Sequence, residues 1–368
     1  MARPRILMVS GNAPPVLDGV GDHTARLAAE LARQRPGWRW LWLTRRPRWF
    51  LAPALRRGGV TLLRPSHSWS PRGRALAAAV ARRTRPDVVH VQEQIHSFHE
   101  TSAAPEIASA AGCPVVATLH EYHEELPSVI HTDALVRLSR VLISNDPKNA
   151  ERCLTRTGRA VDHHWWSGAT VAPPDTALRP AATPGLVVTF GFLSALKSLG
   201  LLHEALKRLR QAEPGVRWRL VGPFQPESIA DHAALAERLA PDRDWIELTG
   251  AIVSPERLAE TLCEGSVMAL PFADGASLRR TTLHAGWALG LPVVTTPPDR
   301  PSDAILDGQN VLLVREPTAD AWSEALGRAL FDRDLAAGLS AGSLAAADRF
   351  SWRNLAARHI AVYESFLG

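Results

Sequence analysis

The sequence is poor in cysteine and has no long hydrophobic run. Its three cysteines, Cys113, Cys153 and Cys263, lie far apart and form no C-x-x-C pair. This excludes a disulfide framework and favours a reducing cytoplasm. The first apolar stretch, residues 6–9, is too short for a signal peptide, and no window approaches the roughly 18 apolar residues of a membrane span. We expect a soluble cytoplasmic protein that has at most peripheral contact with the inner membrane face.

The charge balance leaves the class of partner open. The net charge is +5, and most of the positive charge is arginine because lysine is scarce. Such an excess is typical of a chain that binds an anion, such as a nucleotide phosphate, nucleic acid or a membrane surface, but it also follows from the arginine bias of a GC-rich genome. No nucleic-acid-binding module is recognisable, so we do not expect a nucleic-acid partner.

Short apolar runs alternate with amphipathic ones along the chain, which predicts βαβ units and parallel sheets. In the first half the predicted strands are 5–11, 38–44, 60–65, 87–92, 114–120 and 140–145. In the second half they are 186–193, 217–224, 245–250, 267–272, 291–296 and 310–314. A polar, proline-rich segment interrupts the alternation between them. We therefore predict two α/β domains that face each other across a cleft, with the boundaries 1–170, linker 171–185, 186–350 and a C-terminal helix 351–368.

The loop after the first strand is the first candidate site. Gly11, Gly19 and Gly21 allow tight turns before a helix that we expect to begin near Gly21 or Asp22. The free N–H groups and dipole of a helix N-terminus favour an anion. The spacing is not the dinucleotide pattern G-x-G-x-x-G. In the alternative interpretation the glycines are turn residues and Asp22 is the N-cap.

A histidine, His120, ends the fifth predicted strand. At that position it can act as a general base or donate a hydrogen bond to a sugar hydroxyl. Glu121 and His123 follow it, and together with the segment around His96 they form a wall rich in histidine and glutamate. A metal site and a polar acceptor pocket are the two interpretations. No recognised metal-ligand spacing is present, so we predict no metal.

The second half carries a cationic segment and a single lysine, Lys197, just before a predicted helix, where it would be a suitable charge for a diphosphate or else an exposed surface lysine. Between the fourth and fifth strands of this half lie an acid, a glycine, two arginines and a histidine, namely Asp274, Gly275, Arg279, Arg280 and His284. We expect a helix that includes both arginines, whose N-terminus favours an anion. Because adjacent helical residues point about 100° apart, one arginine is expected to face a ligand and the other solvent.

These motifs resemble the GT-B glycosyltransferases, particularly the retaining family 4. The resemblance covers nearly the whole chain, and its carriers include PPVLDGVGDHTARLAAELA, DVVHVQ, PVVATLHE, VVTFGFLSALKSLGLLHEAL, VMALPFADGASLRRTTLHAGWALGLPVVTT and LDGQNVLLV. It implies two Rossmann-like domains, with the final helix crossing back to the first. It also implies a nucleotide-sugar donor bound by the C-terminal domain, an acceptor bound by the N-terminal domain, and no metal or other cofactor.

The resemblance implies roles for individual residues. His120 matches the family histidine that contacts the transferred sugar, and Lys197 matches the basic residue on the diphosphate. The match places Gly19 and Gly21 near the donor phosphates or the acceptor, and we add Arg279 and Arg280 to the predicted diphosphate contacts from their own position in the sequence. The predicted donor sugar or ribose contacts are Asp274, Gly275 and His284, and the predicted acceptor contacts are Asp22, His96, Glu121 and His123.

Two positions depart from the family pattern. His284 stands where the family has the second of two glutamates, the one that usually holds the ribose. Phe192 stands where many members have an arginine that helps to neutralise the diphosphate. Our hypothesis is that Arg279 or Arg280 supplies the missing positive charge.

We therefore predict a glycosyltransferase that moves a sugar to an acceptor hydroxyl or amine with retention and without a metal. The alternatives are an isomerase of the nucleotide-sugar 2-epimerase type, which needs no acceptor, and a non-catalytic nucleotide-sugar binder. The segment 38–59 mixes tryptophan with arginine. This is typical of an interfacial segment and equally of a strand followed by an exposed basic loop or helix.

Overall fold

The computed structural model describes residues 3–16, 18–48, 54–174, 180–193, 197–227, 229–252 and 254–367. The chain forms two compact units. The first consists of Met1–Ser167 together with Trp352–Gly368, and the second of Gly168–Ser351. Part of the predicted linker, residues 175–179, lies outside the described residues.

The first unit is an α/β unit with an eight-stranded sheet over its described residues. Its strands are β1 (Arg5–Ser10), β2 (Arg39–Leu43), β3 (Ala54–Arg57), β4 (Val60–Leu63), β5 (Val88–Glu93), β6 (Val115–Leu119), β7 (Val141–Ser144) and β8 (His163–His164). Its helices are α1 (Gly19–Gln34), α2 (Pro71–Thr84), α3 (Ala103–Ala111), α4 (Val129–Leu138), α5 (Pro147–Thr157) and α12 (Trp352–Glu364). The strand order is β3-β4-β2-β1-β5-β6-β7-β8, and the pairings are parallel except between β3 and β4.

The second unit repeats this plan with a six-stranded parallel sheet over its described residues. Its strands are β9 (Leu186–Phe190), β10 (Arg217–Val221), β11 (Ile246–Leu248), β12 (Val267–Leu270), β13 (Val293–Thr295) and β14 (Leu312–Leu313). Its helices are α6 (Leu199–Ala212), α7 (Ala230–Leu239), α8 (Pro255–Cys263), α9 (Thr281–Ala288), α10 (Ala319–Phe331) and α11 (Arg333–Arg349). The strand order is β11-β10-β9-β12-β13-β14.

Each sheet has a switch point, where the chain changes its direction of winding. In the first unit β1 lies between β2 and β5, and in the second unit β9 lies between β10 and β12. Ligands of open parallel sheets bind beyond the carboxyl ends of the strands at such points. The loops after β1 and β5, and those after β9 and β12, are therefore the places to look for function.

The prediction of two Rossmann-like α/β units is confirmed, and each predicted strand overlaps an observed one. The buried apolar runs explain this success, because strands covered on both faces appear as continuous hydrophobic stretches. Two strands were not predicted. The first is β3, an antiparallel edge strand whose four residues are all exposed, so the expectation of a loop or helix there was wrong for 54–57. The second, β8, is only two residues long.

The last helix, α12, packs on α1 within the first unit. The Arg35 guanidinium lies 2.9 Å from the Glu364 carboxylate, and the Gln34 side chain donates to the Arg353 carbonyl at 2.8 Å. Tyr363 is fully buried beneath the helix against Trp40. The C-terminal helix therefore packs on the first unit, as the family resemblance implied, through both surface and core contacts.

Candidate active site

The loop between β1 and α1 is organised by Asp18, and not by Asp22, which the alternative interpretation made the N-cap. Asp18 is the N-cap of α1, and its carboxylate accepts hydrogen bonds from the Gly21 N–H at 2.7 Å and the Ser97 hydroxyl at 2.5 Å. The helix thus begins at Gly19, two residues earlier than expected. Asp22 lies one turn into the helix and pairs with Arg26 at 3.0 Å.

The two glycines of this loop differ in their surroundings. A Cβ on Gly21 would lie 3.0 Å from the Asn12 carbonyl oxygen, so the absence of a side chain lets the loop close on the helix. A Cβ on Gly19 would meet nothing within 4 Å. Gly21 therefore has a packing reason to be glycine, while the predicted ligand contact of Gly19 stays a prediction.

His120 follows β6 and is 9% exposed. The Asn145 amide nitrogen lies 3.0 Å from Nδ1, and the Gln92 amide oxygen lies 2.8 Å from Nε2. An amide nitrogen can only donate and an amide oxygen can only accept, so the ring is neutral and carries its hydrogen on Nε2. Burial lowers the pKa of His120 to about 4 despite the opposing fields of Glu121 and Asp18. Both ring nitrogens are engaged by protein partners in this arrangement, and the role of His120 toward a sugar stays a prediction.

The predicted wall of histidine and glutamate is present. The rings of His96 and His123 lie 4.7 Å apart between centroids. His123 Nε2 lies 3.0 Å from Glu121 and Nδ1 lies 2.7 Å from Glu125, while His96 pairs with a neighbouring carboxylate, that of Glu100, at 3.2 Å. Burial opposes the charge on His123, but the hydrogen bonds to Glu121 and Glu125 outweigh it and raise its pKa. The wall therefore carries a net negative charge.

A buried acid, Glu93, lies at the end of β5, in the segment around His96 that was predicted to belong to the wall. It accepts a hydrogen bond from the Thr132 hydroxyl at 2.9 Å, and burial raises its pKa to about 7.

In the second unit Lys197 lies beside the loop that follows β9. Its ammonium group donates to the Phe192 carbonyl at 2.6 Å. Burial lowers the pKa of Lys197 with help from the nearby Arg280 and against the field of Asp274, and the net value is about 8. At pH 8 about half of the Lys197 side chains are protonated, so an anion placed beside Lys197 would raise the protonated fraction.

Arg279 and Arg280 precede α9, which begins at Thr281. Both donate to the Asp274 carboxylate, Arg279 at 3.0 Å, and both are half-buried. The Arg280 guanidinium also lies 4.8 Å from the centroid of the Phe272 ring. The expectation that one arginine points to solvent was wrong, because the helix starts after them and Asp274 gathers both.

Gly275 and His284 hold this loop in place. Gly275 has a φ of 86°, and a Cβ there would lie 2.9 Å from the Asp299 backbone nitrogen and from the Pro297 oxygen. His284 is 2% exposed, and its Nε2–H donates to the Leu278 carbonyl at 2.8 Å. Burial lowers the pKa of His284 to about 4. The ribose contact predicted for His284 stays a prediction, and the bond that the structure gives it positions the arginine loop.

The structure thus gathers the predicted residues into two groups, one in each unit. The first-unit group is His120 with the wall formed by His96, Glu121 and His123. The second-unit group is Lys197, Asp274, Arg279 and Arg280. Over the described ranges, no group of three or more His, Cys, Asp or Glu side chains could hold a metal ion, and no helix is long and apolar enough to cross a membrane.

Two family models match the chain. Residues 17–167 match the model described as Glycosyltransferase Family 4, and residues 184–332 match Glycosyl transferases group 1. Curated relatives include D-inositol 3-phosphate glycosyltransferases. The one from Xylanimonas cellulosilytica is 28% identical over 288 residues, which cover 73% of this chain and 65% of the relative. The one from Corynebacterium urealyticum is 33% identical over 248 residues, which cover 64% and 56%. The chain therefore spans less than two thirds of the length of these relatives.

Solved structures share the fold over the whole chain. Sucrose-phosphate synthase from Thermosynechococcus elongatus has a TM-score of 0.75 at 16% identity, with 99% of both chains covered. Anabaena Alr3699/HepE in complex with UDP and glucose has a TM-score of 0.72 at 16% identity, covering 99% of this chain and 100% of that one.

Proposed function

This chain belongs to glycosyltransferase family 4 and has the GT-B fold, and we propose that it transfers a sugar from a nucleoside-diphosphate sugar to an acceptor hydroxyl or amine. The observation that carries the proposal is the second-unit group. Three cationic side chains and one carboxylate lie at the switch point of a parallel sheet, beside the start of α9. Such a group has an excess positive charge that suits a diphosphate.

We propose that Lys197, Arg279 and Arg280 stabilise the leaving diphosphate. The bond that breaks joins the anomeric carbon of the sugar to a diphosphate oxygen, so negative charge develops on that oxygen. Fixed cations at that point stabilise the transition state more than the ground state. No metal or cofactor is part of the proposal, and retention of the anomeric configuration is proposed on the family resemblance alone.

Uridine diphosphate is the nucleotide we propose to test first, because HepE, a structure with the same fold, was solved with UDP and glucose. The test is thermal unfolding with a panel of nucleoside diphosphates and their sugars, since a bound ligand raises the midpoint by mass action. Turnover assays with the best donor then follow nucleotide release with and without acceptors. Conversion of the donor alone would indicate the isomerase, and a shift in midpoint without turnover would indicate a binder.

The two arginines provide the mutational test of the donor site. We expect Arg279→Ala and Arg280→Ala each to weaken donor binding at least about tenfold, or about 1.4 kcal/mol. Arg257→Ala is the matched control, because Arg257 pairs with Glu260 on an exposed helix face. A loss below tenfold in both arginine variants would refute the hypothesis that they replace the family's missing arginine.

The first-unit wall suggests the charge of the acceptor. The wall contains three carboxylates that pair with only two histidines, His96 and His123. The carboxylates are those of Glu100, Glu121 and Glu125. We propose that the acceptor is uncharged or carries an amine, in contrast to the inositol 3-phosphate named for the relatives. Parallel turnover assays with inositol 3-phosphate, unphosphorylated inositol and an aminocyclitol test this, and a preference for the phosphate would refute it.

A further inference from the structure

Five side chains of the first unit form a continuous series of hydrogen bonds. Tyr363 on α12 lies 2.6 Å from His90 Nδ1, and the Gln92 amide nitrogen lies 3.0 Å from His90 Nε2. The Gln92 amide oxygen lies 2.8 Å from His120 Nε2, and Asn145 lies 3.0 Å from His120 Nδ1. The C-terminal helix is therefore connected to the candidate catalytic histidine through β5 and β6.

Donation along this series of hydrogen bonds runs in one direction, from Asn145 to Tyr363. Asn145 donates to His120, so His120 carries its hydrogen on Nε2 and donates it to Gln92. Gln92 donates in turn to His90 Nε2, which leaves the hydrogen of His90 on Nδ1, where Tyr363 accepts it. The Thr118 hydroxyl, 2.8 Å from His90 Nε2, fits this order as a second donor. Hydrogen bonds in such a series polarise and strengthen one another.

Both histidines are neutral in this arrangement. His90 is fully buried, and burial with the nearby His359 and His120 lowers its pKa well below the ordinary value. A protonated ring at either position would present a second N–H where its neighbour also donates. The series of hydrogen bonds therefore requires two neutral rings, with the hydrogen of His120 on Nε2 and that of His90 on Nδ1.

We propose that Tyr363 is a positioning residue for His120. Through His90 and Gln92, its hydroxyl holds His120 in the neutral tautomer with the hydrogen on Nε2 and fixes the orientation of the ring. This rests on the proposed function in one respect, namely that His120 contacts the transferred sugar. The tautomer itself is a property of the free protein and is measurable without any substrate.

Removal of the Tyr363 hydroxyl should reverse the donor and acceptor roles along the series of hydrogen bonds. In Tyr363→Phe the His90 Nδ1–H loses its acceptor, and a buried unpaired donor is costly. The hydrogen is then better placed on Nε2, where Thr118 accepts it. Gln92 must turn its amide to accept as well, and its nitrogen then donates to His120 Nε2. His120 is left with its hydrogen on Nδ1, and the Asn145 amide oxygen becomes its acceptor.

The experiment is nitrogen-15 NMR of the full chain labelled at histidine, in which protonated and unprotonated ring nitrogens are well separated. The His120 signals are assigned from a His120→Gln variant. We expect Tyr363→Phe to shift the His120 tautomer population toward Nδ1–H at least about fivefold, as a bond of ~1 kcal/mol implies. The value of kcat should fall by a similar factor while KM for the donor changes less.

Two controls separate positioning from loosening of the structure. Tyr122→Phe removes the hydroxyl of the chain's other tyrosine, which donates to Asp133 outside the series. Glu364→Gln removes the ion pair of α12 with Arg35 but leaves the series intact. Both should leave the His120 signals unchanged. A second variant at the other end, Asn145→Asp, should shift the tautomer in the same direction as Tyr363→Phe, because a carboxylate can only accept from Nδ1.

Unchanged His120 signals in folded Tyr363→Phe and Asn145→Asp, or equal changes in the controls, would overturn the positioning role. If Tyr363→Phe does not fold, the His90 signals of Asn145→Asp decide the question, because they shift toward Nε2–H only if the hydrogen bonds from His120 through Gln92 to His90 and Tyr363 act as one series. Absence of turnover in the unmodified protein would count against the proposed function, and the spectra would still decide whether Tyr363 sets the tautomer.

Discussion

The lowered pKa of Lys197 predicts that donor binding depends on pH in the range 7–9. Burial is the main cause of the value of about 8, with the nearby Arg280 acting in the same direction and Asp274 against it. At pH 7 the ammonium form is about 90% populated, and at pH 9 only about 10%. If the diphosphate binds the charged form, the dissociation constant should rise about tenfold over this range, or about 1.4 kcal/mol.

The sign of the effect follows from the charge. Protonated Lys197 attracts the diphosphate, so affinity is highest below the pKa of the free protein and is lost as the pH rises through it. The bound diphosphate in turn raises the pKa of Lys197 and displaces the loss in the complex toward higher pH. Donor titrations by calorimetry at several pH values measure both effects.

Two variants make the assay decisive. An arginine at position 197 stays protonated throughout this pH range. The donor affinity of Lys197→Arg should therefore lack the pH dependence that comes from residue 197. Titration of the ligand itself is common to both proteins and cancels in the comparison. Lys207→Arg is the control, because Lys207 is an exposed lysine 4.0 Å from Asp242. An affinity that changes equally with pH in the unmodified chain and in Lys197→Arg would refute a contact between Lys197 and the diphosphate.

Three further predictions concern stability and the arginine loop. Gly275→Ala should destabilise the chain by about 1–2 kcal/mol in denaturant unfolding, because a Cβ would lie 2.9 Å from two backbone atoms at a φ of 86°; an unchanged midpoint would show that the loop adapts. His284→Glu, which restores the family residue, should lower the melting temperature, because a buried carboxylate would face the Leu278 oxygen; a stabilised variant would contradict this assignment. His120 and His359 each have a pKa near 4, chiefly through burial, so their contribution to stability is present above pH 6.5 and is lost as the pH falls toward 4. This contribution is on the order of 3 kcal/mol for each histidine, and equilibrium unfolding between pH 7 and 4.5 should show the decline, whereas a flat profile would refute it.

The fold was predictable because its strands are buried on both faces. Runs such as ILMV and VMAL are apolar without interruption, so they indicate strands wherever the neighbouring helices begin and end. The edge strand β3 was not predictable in the same way. Its sequence ALRR is exposed at every position, and the strand joins the sheet by pairing with β4. Tertiary pairing, which composition does not encode, decided that element.

The site was predictable in its location but not in its contacts. The loops that carry His120, Lys197 and Arg280 were identified because they follow buried strands. The partners of His120 were not, since Gln92 and Asn145 lie 28 and 25 residues away in the sequence. Asp18 caps α1 and also accepts from Ser97, which is 79 residues away.

The two units show how one architecture gives opposite electrostatics at the carboxyl ends of its strands. The second-unit group lies after β9 and β12, at the switch point, and the first-unit wall lies after the neighbouring strands β5 and β6. In the second unit the loops carry more cations than acids, and Asp274 brings Arg279 and Arg280 together without cancelling them. In the first unit the carboxylates outnumber the histidines. An anion introduced to this chain should therefore prefer the second unit. A phosphorylated acceptor would then compete with the donor for that group before it bound to the first unit. This separation of charge explains why we place the nucleotide in the second unit on physical grounds as well as on family membership.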